Sequence, residues 1–189
     1  MKIAEIEYTP NPNAVKFVLK DSITPMGVTR SFDTHDSAKG VPLAQHLLAI
    51  DSVLTVFFAD RWITITQDGT SDWPQLLRSI AEPIRAAEPG DALIDPSVAV
   101  AQEYQGAEAG VGLDDPRLPM IRDIVDEHIM PFLASDGGGL EIVAFVDNRL
   151  MIRYQGACGT CPASLTGTLM AIENLIQMEI DPEIEVVTV

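Results

Sequence analysis

EPGDALIDPSVAVAQEYQGAEAGVGLDD, running from Glu88 to Asp115, mixes Pro, Gly, Ala and acids without holding the apolar period of either a strand or a helix. That composition is expected of a flexible interdomain linker. Regular periods stop before it and resume after it, which predicts a domain at residues 1–88, a linker at 89–115 and a second domain at 116–189. With 189 residues and 47% hydrophobic content, the chain holds enough apolar material for two small cores.

Upstream of the linker the order reads strand, strand, helix, strand, strand, helix. KIAEIEY (2–8) alternates imperfectly, whereas AVKFVLK (14–20) sets Val15, Phe17 and Leu19 on one face, and PNPN between them is a turn. After a polar loop over 21–40, Pro42 opens a helix carrying Leu43, Leu47 and Ile50. VLTVFFA (53–59) and WITITQ (62–67) are separated by Asp60 and Arg61, a hairpin-length gap. Ser71 or Asp72 can cap a helix whose Trp73, Leu76, Leu77, Ile80 and Ile84 form a core stripe, with Pro83 kinking or shortening its end. Trp62 and Trp73 are read as core residues of their strand and helix.

Downstream the order reads helix, strand, strand, helix, strand. Ile121, Ile124, Val125, His128, Ile129 and Phe132 define one face of a helix over 117–134, which turns His128 toward the core. Asp136 and the three glycines to Gly139 supply a helix stop and tight turn. LEIVAFV (140–146) and RLMIRYQ (149–155) pair through Asp147-Asn148, a helix follows over 162–179 with Leu165, Leu169, Ile172 and Ile176 inward, and EIEVVTV closes the chain. The expected class is therefore α+β, with an N-terminal ββαββα and a C-terminal αββαβ domain.

The first twenty residues lack the continuous apolar stretch of an export signal, and no run is long and apolar enough to span a membrane. The expectation is a cytoplasmic protein, in a reducing medium where a lone Cys pair binds metal or does chemistry more often than it staples a fold. The net charge of −16 is uneven: residues 1–90 carry 8 Lys/Arg against 11 Asp/Glu, residues 91–189 carry 4 against 17. Such a surface repels phosphate backbones and anionic lipid, so neither nucleic acid nor membrane is an expected partner.

Both cysteines lie in GACGTCPAS, Gly156 to Ser164. The pattern puts Cys158 and Cys161 between a strand end and a helix start, with Pro162 at the first helical position and Gly156 and Gly159 letting the loop wrap closely. A helix N-terminus favours negative charge and so the thiolate form. Spacing alone leaves several readings open. A thiol-disulfide oxidoreductase also uses C-x-x-C at a helix start, but only 28 residues remain to finish such a fold, and Ala157 stands where the redox family has tryptophan. A zinc-bridged interaction module needs further ligands, and His128, His35 and His46 lack ligand spacing. An iron-sulfur cluster takes four Cys, so a chain with two would complete it across a symmetric dimer. An inert or structural pair is the remaining reading.

Residues 116–189 resemble the NifU-like (Nfu) scaffold domain: PRLPMIRDIVDEHIMPFLASDGGGLEIVAF, then the hairpin, then G-x-C-x-x-C-P-x-S, a Thr-Leu-rich helix and a closing P-E-I-E-V-V strand. YTPNPNAVKF (8–17), PLAQHLLAIDSVLTVFF (42–58), WITIT (62–66) and Asp72-Trp73 resemble the N-terminal domain of mitochondrial-type and related bacterial Nfu proteins. The resemblance implies a non-enzymatic iron-sulfur carrier and, with no presequence-like stretch in the first twenty residues, a bacterial cytosolic member of the family. Its homodimer would bridge one labile 4Fe-4S cluster, with 2Fe-2S the alternative, through Cys158 and Cys161 of each protomer. It would receive the cluster from an upstream donor and pass it to apo-proteins, the N-terminal domain serving as an accessory docking module. Gly156, Gly159 and Pro162 would shape the loop. One departure is Gly139, where the family commonly has an acid after the paired glycines; the expected effect is local, on the turn.

Overall fold

A computed structural model gives the architecture and describes residues 1–25, 27–93, 110–160 and 167–189. The chain divides into two compact units, Met1–Glu103 and Tyr104–Val189. Both are α+β.

The first unit is built on a five-stranded antiparallel sheet. Its strands are β1 (Ile3–Tyr8), β2 (Ala14–Leu19), β3 (Thr29–Phe32), β4 (Val53–Ala59) and β5 (Trp62–Gln67), in the order β1-β2-β5-β4-β3. In β2 the expected alternation holds: Val15, Phe17 and Leu19 are buried while Lys16 and Val18 are only partly so. These residues share one core with Leu43, Ala44 and Leu47 of α1 (Pro42–Leu48) and Leu76, Ile80 and Ile84 of α2 (Trp73–Ala86). Pro83 falls in the last turn of α2, which ends three residues later with Ala87 extended. Trp73 is half-buried, and its indole N–H donates to the Pro12 carbonyl at 2.9 Å, so it pins the PNPN turn to the helix rather than serving only as core.

Strand β3 corrects the expected loop over 21–40. Only Phe32 of its four residues is buried, so no period is visible in the sequence, and pairing to β4 at the sheet edge creates the strand.

In the second unit β6 (Gly138–Val146) and β7 (Arg149–Gly156) form an antiparallel hairpin, and β8 (Glu185–Thr188) lies parallel to β7. Asp147 and Asn148 take φ of 50° and 62°, the left-handed pair that a two-residue hairpin requires. The expected helix over 117–134 is two helices, α3 (Leu118–His128) and α4 (Met130–Ser135). The break at Ile129 follows from Pro131, whose ring cannot continue a helix through the preceding turn. His128 and Phe132 are consequently exposed, correcting their expected placement on the core face. The last helix, α5 (Leu169–Glu179), buries Ile172 and Ile176; its expected start over 162–166 lies outside the described residues.

Two ends of the expected linker are structured, which corrects the 89–115 span. Pro89–Ala92 forms a 3-10 turn whose Ala92 joins the first core. Gly110–Asp115 belongs to the second unit: Gly110 N–H donates to Val143 O, and Phe145 N–H donates to Val111 O, covering the outer edge of β6. Gly112 has φ of 70°, and a Cβ there would lie 1.8 Å from the Phe145 carbonyl oxygen. Arg117 then ties three segments together, donating to Asp115, Asn148 and Asp181, with its guanidinium 4.7 Å over the Phe145 ring. The Arg117 hydrogen bonds hold the Asp115 carboxyl below its ordinary value. No helix among the described residues is long and apolar enough to cross a membrane.

Candidate functional site

The site begins at the open end of the β6/β7 hairpin, opposite the Asp147-Asn148 turn. Gly137 takes φ of +78° and ends α4, after which Gly138 and Gly139 are already strand, paired with Gly156 and Gln155. Gly139 is therefore a buried ladder residue and not a turn residue, so its effect is expected on the strand. Gly156, at φ of +61°, turns the chain out of β7 into the 3-10 turn Ala157–Thr160, and Ala157 N–H donates to Gly137 O at 3.2 Å.

Cys158 is 1% exposed and packs within the second core, whereas Gly159 and Thr160 directly after it are exposed. The thiol sits against the backbone of Gly138: a Cβ on that residue would be 2.5 Å from Cys158 Sγ and 2.7 Å from the Gln155 carbonyl oxygen. Gly138 thus forms one wall of a cradle for the sulfur, open only because no side chain occupies it. Gly159 is also confined, since its Cβ would lie 3.2 Å from Tyr154 O. Cys161 and Pro162 lie outside the described residues.

Tyr154, on the strand leading into the turn, is 7% exposed, and among the described residues its hydroxyl has no hydrogen-bond partner. Burial, and secondarily the charge of Cys158, push its pKa up to about 12, so the phenol remains a neutral donor beside the cysteine. A buried hydroxyl without a partner costs stability. Tyr154→Phe is expected to raise the unfolding free energy of the unloaded second unit by about 1 kcal/mol, read by urea titration. A loss of stability would mean that the hydroxyl is paired in solution.

His128 is exposed at the end of α3, and His35 and His46 are exposed in the first unit. Among the described residues, no group of three or more His, Cys, Asp or Glu side chains gathers into a metal site. Among the described residues, α5 and β8 follow the Cys turn, on a three-stranded sheet. The structure brings Gly156, Cys158 and Gly159, singled out in the sequence, into one turn. The sequence missed Gly138 and Tyr154. A signal for Gly138 existed, because a helix stop needs one left-handed glycine and the sequence offers three in a row.

Two family models match the chain. The one described as "Scaffold protein Nfu/NifU N terminal" matches residues 3–88, and the "NifU-like domain" matches residues 121–187. The human protein named "NFU1 iron-sulfur cluster scaffold homolog, mitochondrial" is 33% identical over 178 residues, covering 94% of this chain and 67% of its own length. Its Drosophila ananassae namesake is 28% identical over 178 residues, and "NifU-like protein 4, mitochondrial" from Arabidopsis thaliana is 28% identical over 178 residues. Those alignments cover 94% and 91% of this chain, which spans 60% of each of these two relatives.

Proposed function

The chain belongs to the Nfu/NifU family of iron-sulfur cluster scaffold proteins, and on that premise we propose that it carries a labile 4Fe-4S cluster and hands it to apo-proteins. The cluster is cargo. Two protomers hold it between them, each giving Cys158 and Cys161, because a cubane takes four thiolates and one chain supplies two.

The observation that carries this reading is the cradle at Cys158. A rigid hairpin end and a side-chain-free Gly138 fix the sulfur, while the following Gly159-Thr160 turn faces solvent. One ligand is thereby pre-positioned and its neighbours are accessible, as a delivery site requires. Release then needs no net redox change: four incoming thiolates of the acceptor replace Cys158 and Cys161 of both protomers at iron, and the four freed cysteines take up the protons given up by the acceptor thiols. The first unit serves as a docking module toward donor and acceptor proteins. We assign the protein to a reducing compartment, a bacterial cytoplasm, although the relatives above are named as mitochondrial.

The test is anaerobic reconstitution of the full chain with iron and sulfide, followed by metal and sulfide counts and a sedimentation mass. About two iron and two sulfide per chain on a dimer are expected. A monomer without iron, whose thiols cycle readily to a disulfide and reduce a disulfide substrate, would replace the carrier with an oxidoreductase.

A further inference from the structure

Helices α4 and α5 leave an open apolar groove of about 400 Å³ lined by His128, Ile129, Phe132, Thr168, Ala171 and Leu175. Phe132 is 72% exposed, an unusual position for an aromatic ring that packing could have covered. The floor is narrow: Thr168, Ala171 and Leu175 follow helical spacing, with small residues where a second helix would approach closest. Met120 on α3 and Met170 and Met178 on α5 are also exposed, adaptable side chains of the kind found on helix-binding surfaces.

Charge selects among possible occupants. The segments 118–136 and 167–180 carry Asp123, Asp126, Glu127, Asp136 and Glu179 against Arg122 and His128 alone, Glu173 being turned away to accept the Val186 N–H, and residues 110–189 contain no lysine. A second copy would bring the same net-acidic helices against one another, which like-charge repulsion disfavours. An anionic membrane is disfavoured for the same reason. A helix with an apolar face and Lys or Arg on its flanks suits both the groove and the rim.

We infer that this groove docks a basic amphipathic helix of a partner protein. The groove also adjoins the cargo site in the chain: α4 ends at Ser135, three residues before the Gly138 cradle, and Gly167 comes six residues after Cys161. An occupant would therefore contact elements that flank the cluster loop in the chain; the inference rests on the carrier reading for this purpose, but not for the binding itself.

The probe is a helical peptide with leucines on one face and lysines flanking them, together with a counterpart whose lysines are glutamates. Each is titrated into the full-length chain, unloaded and cluster-loaded, by NMR and fluorescence anisotropy. Expected are shifts at His128, Phe132, Ala171 and Leu175, at least about tenfold weaker binding of the glutamate peptide, and weakening of the lysine peptide by salt. Phe132→Ala, at an exposed site that should not disturb folding, is expected to weaken the lysine peptide about tenfold while iron uptake is unchanged; Ala171→Gln, which fills the floor, should do the same. Equal binding of both peptides, shifts confined to other faces, or no binding to a chain that loads iron normally would overturn the inference and leave the carrier reading standing. A wild-type dimer of the unloaded chain that Phe132→Ala dissociates in sedimentation would also overturn it, by giving the groove to a second copy. Failure of the carrier reading has a different signature: peptide binding without iron uptake.

Discussion

Cys158→Ser, reconstituted beside the wild-type chain, is expected to retain at least about tenfold less iron and to sediment as a monomer. A serine hydroxyl is not deprotonated at neutral pH and binds soft iron poorly, and a symmetric dimer loses two of its four ligands from a single substitution. Cys158 is 1% exposed, so the change also leaves a hydroxyl in an apolar pocket, at a cost of about 1–3 kcal/mol. Cys158→Ala separates the two effects, since it removes the ligand without burying a polar group. Both variants should lose iron, and only the serine variant should lose appreciable urea resistance. Iron retained by Cys158→Ala at the wild-type level would take the ligand role away from this residue. The same outcome would leave the Gly138 cradle without its purpose.

Sequence alone reached most of the fold because the informative segments are ones where local period and tertiary burial agree. In β2 the alternation of Val15, Phe17 and Leu19 is also the core face, and Asp147-Asn148 names its own turn. What sequence missed had its cause elsewhere in the fold. Strand β3 exists through pairing with β4 and carries one buried side chain, which no period can announce. The division of α3 from α4 was written in Pro131 but masked by a continuous apolar stripe, and misreading it turned His128 and Phe132 inward. That error concealed the groove. At the site, the C-x-x-C spacing points to the cysteines themselves, while the support of Cys158 comes from Gly138, 20 positions upstream, and from Tyr154. The paired registers of Gly138 with Gly156 and of Leu140 with Tyr154 bring them together.

Gly138→Ala therefore tests the support rather than the ligand. Alanine in a strand ordinarily gains about 0.5–1 kcal/mol over glycine, because less backbone entropy is lost on folding. Here the added methyl would meet Cys158 Sγ at 2.5 Å, Gln155 O at 2.7 Å and Cys158 Cβ at 2.9 Å. The Gln155 carbonyl cannot retreat freely, since Gln155 is paired with Gly139 in the β6/β7 ladder. The thiol must move instead, and the cradle closes. A net destabilisation of about 2–3 kcal/mol is expected in urea, together with loss of most bound iron. Gly90→Ala, where an added Cβ meets nothing within 4 Å, should stay within about 0.5 kcal/mol of wild type and load iron normally. If Gly138→Ala were as stable as wild type and still loaded iron fully, the sulfur would have room that this packing denies it, and the cradle would not be what positions the ligand. Stability lost with loading intact under folding conditions would instead separate the two roles, leaving Gly138 as a packing residue and Cys158 as a ligand that finds its geometry only when the cluster arrives.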